Sequence, residues 1–231
     1  MKMHRTSESS LAISLIVPIL LFCPSMLAYS ISFTPQVYLK DSSPYGTPYA
    51  DWIKKWWQWN ISLPQAKHPQ TNLKTVCAMG ESGQVSFLVQ NLQSNPSHYS
   101  CTIPANNAIM APIGTGSCVS IEAHSSKPAD LIDCATEGDK YLTFKATLDD
   151  VPLSNLENNY AITKIFDMTV PDDNFESLKG GTYPAAAGGY FIFLKPLSIG
   201  KHTLNIDARV LNPTDNSFNF HYVTSFDLKV Q

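Results

Sequence analysis

Three stretches of the chain alternate apolar and polar residues with a period of two. "YLTFKATLD", from Tyr141, sets Leu142, Phe144, Ala146 and Leu148 on one side, and "HTLNIDARV", from His202, does the same with Leu204, Ile206, Ala208 and Val210. "SFNFHYVTSFDLKV", from Ser217, aligns Phe218, Phe220, Tyr222, Phe226, Leu228 and Val230, interrupted only by Thr224. Side chains of an extended chain point to opposite faces in turn, so this pattern describes strands with one face buried and one wet. Buried faces of this kind must be covered by a second layer. From Val85 onward the other apolar runs are short and separated by Gly, Pro, Asn and Asp, the punctuation of strands and turns.

The expected fold is therefore mainly β, an antiparallel β-sandwich of immunoglobulin-like or jelly-roll-like form, making one domain over residues 31–231. Two helices join it. One covers about 48–63; the other lies in "SSKPADLIDCATEGDK", with Ser126 as cap, Pro128 in the first turn, and Leu131, Ile132 and Ala135 on one side. "GGTYPAAAGGY", ending at Tyr190, holds four glycines and small alanines, and reads as a mobile loop or lid.

Residues 1–30 carry Lys2, His4 and Arg5, then the apolar run "LAISLIVPILLF", then "CPSMLAYS". That is the order of a cleaved secretory signal peptide, with Ala28-Tyr29-Ser30 as the cleavage pattern, so a secreted or cell-envelope location is expected. The rival is an uncleaved membrane anchor, since Leu11 to Tyr29 lacks charge, although Pro18 and Pro24 weaken such a helix. No other membrane contact is expected. The formal net charge is −3, without a basic stripe, which argues against a nucleic-acid partner. Beyond the leader stand Cys77, Cys101, Cys118 and Cys134. In an exported chain they read as two disulfides; of the three pairings, Cys77–Cys101 and Cys118–Cys134 close compact neighbouring segments. No short-spaced ligand pair suggests zinc, and no cysteine follows Cys134 to build a copper site, so neither metal nor cofactor is expected.

Every tryptophan falls in "PYADWIKKWWQWNISLP": Trp52, Trp56, Trp57 and Trp59. Thr47 followed by Pro48 is a helix start, and at helical spacing Tyr49, Trp52, Trp56 and Trp59 share a side opposite Asp51, Lys54, Lys55 and Gln58. Burying four such rings contributes on the order of 20 kcal/mol as an upper bound, too much to leave exposed. Trp52, Trp56 and Trp59 are thus expected to pack on the sandwich. Trp57, at the edge of the arc, is expected to face a ligand together with Tyr45, Tyr49 and Tyr183, the ligand being a carbohydrate or a cell-surface protein.

The W-x-x-x-W-W-Q-W run, His68-Pro69, "CAMGESGQVSFL", "CTIP" and "PLSIGKHTLNI" together resemble a family of exported prokaryotic proteins of unknown function, over roughly Tyr45 to Val230. The resemblance implies a signal peptide and a largely β fold, and brings no activity and no catalytic residue. "LSIGKHTLNI" also looks like the penultimate strand region of immunoglobulin-like sandwiches.

The residues themselves assemble no catalytic motif. "GESG", from Gly80, reads as a hairpin turn; the histidines His68, His98, His124, His202 and His221 stand singly, as turn or surface residues do. Asp149-Asp150 and Asp172-Asp173 suit turns. The sequon Asn60-Ile61-Ser62 sits at the end of the tryptophan helix, where a glycan would oppose packing. The leading expectation is a non-enzymatic interaction or ligand-binding module. The alternatives are an enzyme on polysaccharide or another envelope polymer, marked by a histidine and carboxylate beneath "GGTYPAAAGGY", and a structural matrix component.

Overall fold

The computed structural model describes residues 37–68, 80–89, 96–215 and 219–231, all within a unit spanning Thr34–Gln231. The alternating segments are strands and pair with one another. In chain order the strands are β1 (Gly80–Ser82), β2 (Val85–Phe87), β3 (Ser97–Ile103), β4 (Ala108–Val119), β5 (Leu142–Leu148), β6 (Val151–Pro152), β7 (Tyr160–Ile162), β8 (Phe166–Val170), β9 (Gly181–Leu194), β10 (Gly200–Val210) and β11 (Phe220–Val230). Helix α1 (Tyr49–Ser62) precedes them, and α2 (Pro128–Thr136) lies between β4 and β5. One sheet has the order β1-β2-β4-β9-β7, with β8 also pairing β9; the other has the order β3-β11-β10-β5-β6.

The fold is a two-sheet sandwich, but not a purely antiparallel one. β2 pairs with β4, and β3 with β11, in parallel. β2 and β4 are joined through β3 in the opposite sheet, so no tight hairpin forces their direction to reverse. "GESG" was expected to be a hairpin turn; its first three residues are strand β1, and the turn to β2 is made by Gly83, at φ 60, with Gln84.

Between the sheets, Ile109, Ala111, Ile192 and Leu194 meet Leu204, Ile206, Phe226 and Leu228. The opposite face of the β4-β9 sheet is also covered, because α1 lies over Met110, Ala187, Phe191 and Phe193. β4 and β9 are thus buried on both faces and lack the clean alternation that marks β5, β10 and β11. The outer face of the second sheet is polar, with His221 2.8 Å and Lys145 3.3 Å from Asp207.

"GGTYPAAAGGY" is not a loop or lid: from its second glycine, Gly181, it is the first part of β9, with Ala185, Ala186 and Ala187 fully buried. Small residues are required there by close approach. α2 lies directly on this part of the sheet through Leu131 and Ala135, against Cys118 and Ala186. The Cys118–Cys134 disulfide, with Cα atoms 5.8 Å apart, pins α2 to β4; closing such a loop stabilises by about 3 kcal/mol on the chain-entropy view. Cys101 is also disulfide-bonded. Its expected partner Cys77 lies outside the described residues, as does the leader 1–30. α2 starts at Pro128, and the side chain that organises its entry is Ser125, bonded to the Lys127 N–H and the Asp130 carboxylate, rather than Ser126.

In α1 the burial is rotated from the expected arc. Trp52, Trp56 and Trp57 are buried together with Ile53 and Ile61, whereas Trp59 is only partly buried. The broad sheet beneath takes a wide stripe, and Trp59 leans sideways over the β1-β2 hairpin, where Gly80 has no Cβ to obstruct it. His68 is not a surface residue. It is fully buried, stacked on Phe175 at 3.8 Å, with Nε2 3.1 Å from Asn60 Oδ1. Asn60 is itself buried, so its sequon offers no site for a glycan in the folded chain.

Candidate functional site

A bulge in β4 shifts its register against β9 between Pro112 and Gly114. Past the bulge the strand presents glycines where it earlier presented isoleucines. A Cβ on Gly114 would lie 2.5 Å from Leu142, and one on Gly116 would lie 2.3 Å from the Ala135 carbonyl oxygen. α2 and the end of the second sheet therefore cover the same face side by side. Between them lies a cleft of about 270 Å³. Gly114 and Gly116 form its floor, Ala135 and Gly138 one wall, and Leu142, Val210 and Phe220 the other, with Tyr141 and Asp139 at the turn into β5. Phe220 is 36% exposed, a large apolar side chain at the mouth.

Asp139 is a half-buried titratable group of this cleft. Burial pushes its carboxyl up to about 6, opposed by the Tyr160 hydroxyl beside it. Oδ2 is shielded from solvent and has no hydrogen-bond partner among the described residues. Behind it, Tyr160 packs on Tyr190 at 4.9 Å and Tyr190 on Phe144 at 5.0 Å. Burial also raises Tyr160, and the nearby Asp139 carboxylate adds to it.

Two groups withdrawn from water to different extents, His68 and Asp139, give stability opposite dependences on pH. His68, lowered to about 4 by burial, is neutral in the fold, so its contribution is present above about 6.5 and is lost as pH falls towards 4. Asp139 is raised, so its contribution is present below its ordinary value of 3.8 and is lost as pH rises through about 6. The two slopes offset each other between pH 4 and 6. Asp139→Asn should raise stability above pH 6 by about 2 kcal/mol and leave the acid loss from His68 unopposed. Urea titrations at three pH values test this; a variant with the parent's pH profile would rule out a strained Asp139.

The side chains expected to bind a ligand do not form one surface. Tyr49 is buried, its hydroxyl donating to the Phe191 carbonyl at 3.0 Å. Trp57 is buried, its Nε1–H donating to Thr115 Oγ1 at 3.0 Å. Tyr183 is half-buried and donates to the Lys179 carbonyl, and Tyr45 alone of the four is exposed, 41%. Trp57 borders a smaller hollow of about 180 Å³ that also holds Glu122 and Glu176, but Glu122 is engaged with the Val119 N–H at 2.9 Å.

Sequence reading missed a serine, histidine and aspartate that meet at the start of β10. His202 Nδ1 is 2.7 Å from Asp149 Oδ2, and Nε2 is 3.3 Å from Ser198 Oγ, the order used in nucleophilic catalysis. Nε2 is closer still, 2.9 Å, to the Ser198 carbonyl oxygen, which can only accept. That nitrogen carries a proton and cannot take one from the serine. Burial disfavours the charged ring, but the Asp149 carboxylate and the Ser198 carbonyl outweigh it and hold the His202 pKa above its ordinary value. Asp149 Oδ1 also accepts the Thr203 N–H at 2.8 Å, so the group is a clamp between two turns. It caps the start of β10, and β9 is not a loop that could close over it. Among the described residues no group of three or more His, Cys, Asp or Glu side chains could hold a metal ion.

No protein-family model and no curated protein matches the sequence. Among solved structures, PbICP-C in complex with falcipain-2 superposes at 12% identity and TM-score 0.26, over 64% of this chain and 100% of that one. The cysteine protease inhibitor EhICP2 from Entamoeba histolytica does so at 12% identity and TM-score 0.23, over 58% and 86%. Amebosin follows at 9% identity and TM-score 0.18, over 59% and 96%. Superpositions this loose carry no argument about the chain.

Proposed function

We propose that the protein is an exported, non-enzymatic β-sandwich that works as a binding module, and that the cleft between α2 and the end of the second sheet is where its partner docks. The cleft is the observation that carries this reading. Its floor is glycine backbone, its walls are largely aliphatic and aromatic, and none of the described residues that line it is a histidine, a composition suited to retention rather than turnover. Export is supported by the leader pattern and by the Cys118–Cys134 disulfide, because cytosolic thiols are kept reduced. A protein partner suits the site better than a carbohydrate. Sugars stack on flat exposed rings, and the rings expected to supply that platform, Trp57 and Tyr49, are buried.

Gly138 allows a clean test. Its φ of −80 and ψ of −17 suit any residue, and a Cβ there would meet nothing within 4 Å. Indole titrated into the labelled protein should shift the amide resonances of Gly114, Gly116 and Gly138 saturably, and Gly138→Phe should abolish those shifts without lowering the melting temperature. Shifts scattered over the surface, or unchanged in the variant, would defeat the proposal. A serine-directed phosphonate should leave Ser198 unlabelled.

A further inference from the structure

Resting on the reading of the cleft as a docking site, we infer that its occupant is a basic segment of a protein partner, which inserts an apolar side chain beside Phe220 and sets a neighbouring Arg or Lys at the C-terminal end of α2. That helix carries its negative charges along one side. Asp130, Asp133 and Glu137 recur at spacings of three and four, so they lie along one side, and all are exposed. The end of a helix carries partial negative charge on its unpaired carbonyls and is normally matched by a basic residue; α2 has none in its last turn. Asp133 and Glu137 add negative charge where the helix itself disfavours it.

Asp130 is occupied by Ser125, but among the described residues neither Asp133 nor Glu137 has a basic side chain within ion-pair distance. Lys140 is the cation nearest Glu137 in sequence, and its ammonium sits over the Tyr141 ring at 4.8 Å. Glu137 borders both the apolar cleft and a shallow hollow shared with Asp133, Thr136 and Lys140. An apolar socket thus adjoins a hollow in which two carboxylates outnumber the one ammonium, itself held over the Tyr141 ring. A guanidinium placed there could pair with the Glu137 carboxylate and the last helix carbonyls together, which a neutral sugar cannot do and an anionic polymer would be repelled from doing.

The test uses three probes on the intact chain: acetyl-Phe-Arg-amide, acetyl-Phe-Gln-amide and acetyl-Ala-Arg-amide, followed by amide shifts at Gly114, Gly116 and Gly138. The expected result is that the Phe-Arg probe binds about tenfold more tightly than either other probe, with the advantage lost in high salt. Asp133→Asn with Glu137→Gln should reduce it to the level of the Phe-Gln probe while the melting temperature holds or rises, since both changes remove charge that opposes the helix dipole. Gly138→Phe should abolish binding of both phenylalanine probes. Equal binding of the Phe-Arg and Phe-Gln probes, lost in Gly138→Phe, would overturn the cationic occupant and leave the cleft reading standing. Failure of every probe to shift the cleft glycines, or shifts indifferent to Gly138→Phe, would overturn both.

Discussion

Trp56→Ala is expected to destabilise the protein by about 5 kcal/mol, the largest loss among the four tryptophans. Trp56 is 0% exposed at the centre of the layer between α1 and the β4-β9 sheet. Its ring packs edge-on against Trp57 at 5.2 Å, Trp59 at 5.9 Å and Phe191 at 5.5 Å, so truncation opens a cavity that three neighbours border. It also removes the Nε1–H that donates to the Leu88 carbonyl at 2.7 Å, and Leu88 is fully buried. An acceptor stranded in that position adds about 1–2 kcal/mol. Trp56→Phe should recover most of the packing but not that hydrogen bond. Trp59→Ala should cost about 2 kcal/mol, because that ring is already partly solvated, and Trp57→Ala should fall between the two. Chemical denaturation of the four variants checks the order. A larger loss at Trp59 than at Trp56 would mean that α1 docks on the other face of its arc.

Strands that bury one face were legible in the sequence, because period two is visible only when the two faces differ. β5, β10 and β11 have a wet face and could be read residue by residue. β4 and β9 have none, since α1 covers one side and the second sheet and α2 the other, so their alternation disappears. β9 was disguised further by "AAAGG", whose small side chains suggest a loop until a helix is seen lying on them. The tryptophans announced a packed helix, yet helical spacing alone left its docking angle open by about one residue's rotation, enough to exchange the roles of Trp57 and Trp59. The cleft had no local signal. Its floor, walls and mouth come from β4, α2, β5, β10 and β11, and only the bulge before Gly114 and the glycine at 138 mark it, both of which look like ordinary turn chemistry until the layers are assembled. His202, Asp149 and Ser198 likewise meet only because β5 and β10 are neighbours in register.

Gly189→Ala is the second large effect expected, about 4 kcal/mol. Gly189 pairs with Thr115 in the register of β4 and β9 and has φ 133, a conformation that side chains other than glycine rarely adopt. A Cβ there would lie 2.4 Å from the Gly114 carbonyl oxygen and 2.5 Å from Thr115 Cα. Both obstacles are backbone of the neighbouring strand, so relief requires the two central strands to part just beyond the bulge. Strain and overpacking each contribute about 1–3 kcal/mol. Gly116→Ala is the informative contrast. Its Cβ would be closer still, 2.3 Å from the Ala135 carbonyl oxygen, but the obstacle belongs to α2, a helix that can tilt on its disulfide, so the cost should be only about 1–3 kcal/mol. Hydrogen exchange should separate the two: Gly189→Ala loses protection along both β4 and β9, whereas Gly116→Ala keeps the strands protected and frays α2, shifting the wall of the cleft. If Gly189→Ala left β4 and β9 as protected as in the parent, the tight pairing at the floor of the cleft, and with it the shape of the proposed docking site, would be refuted.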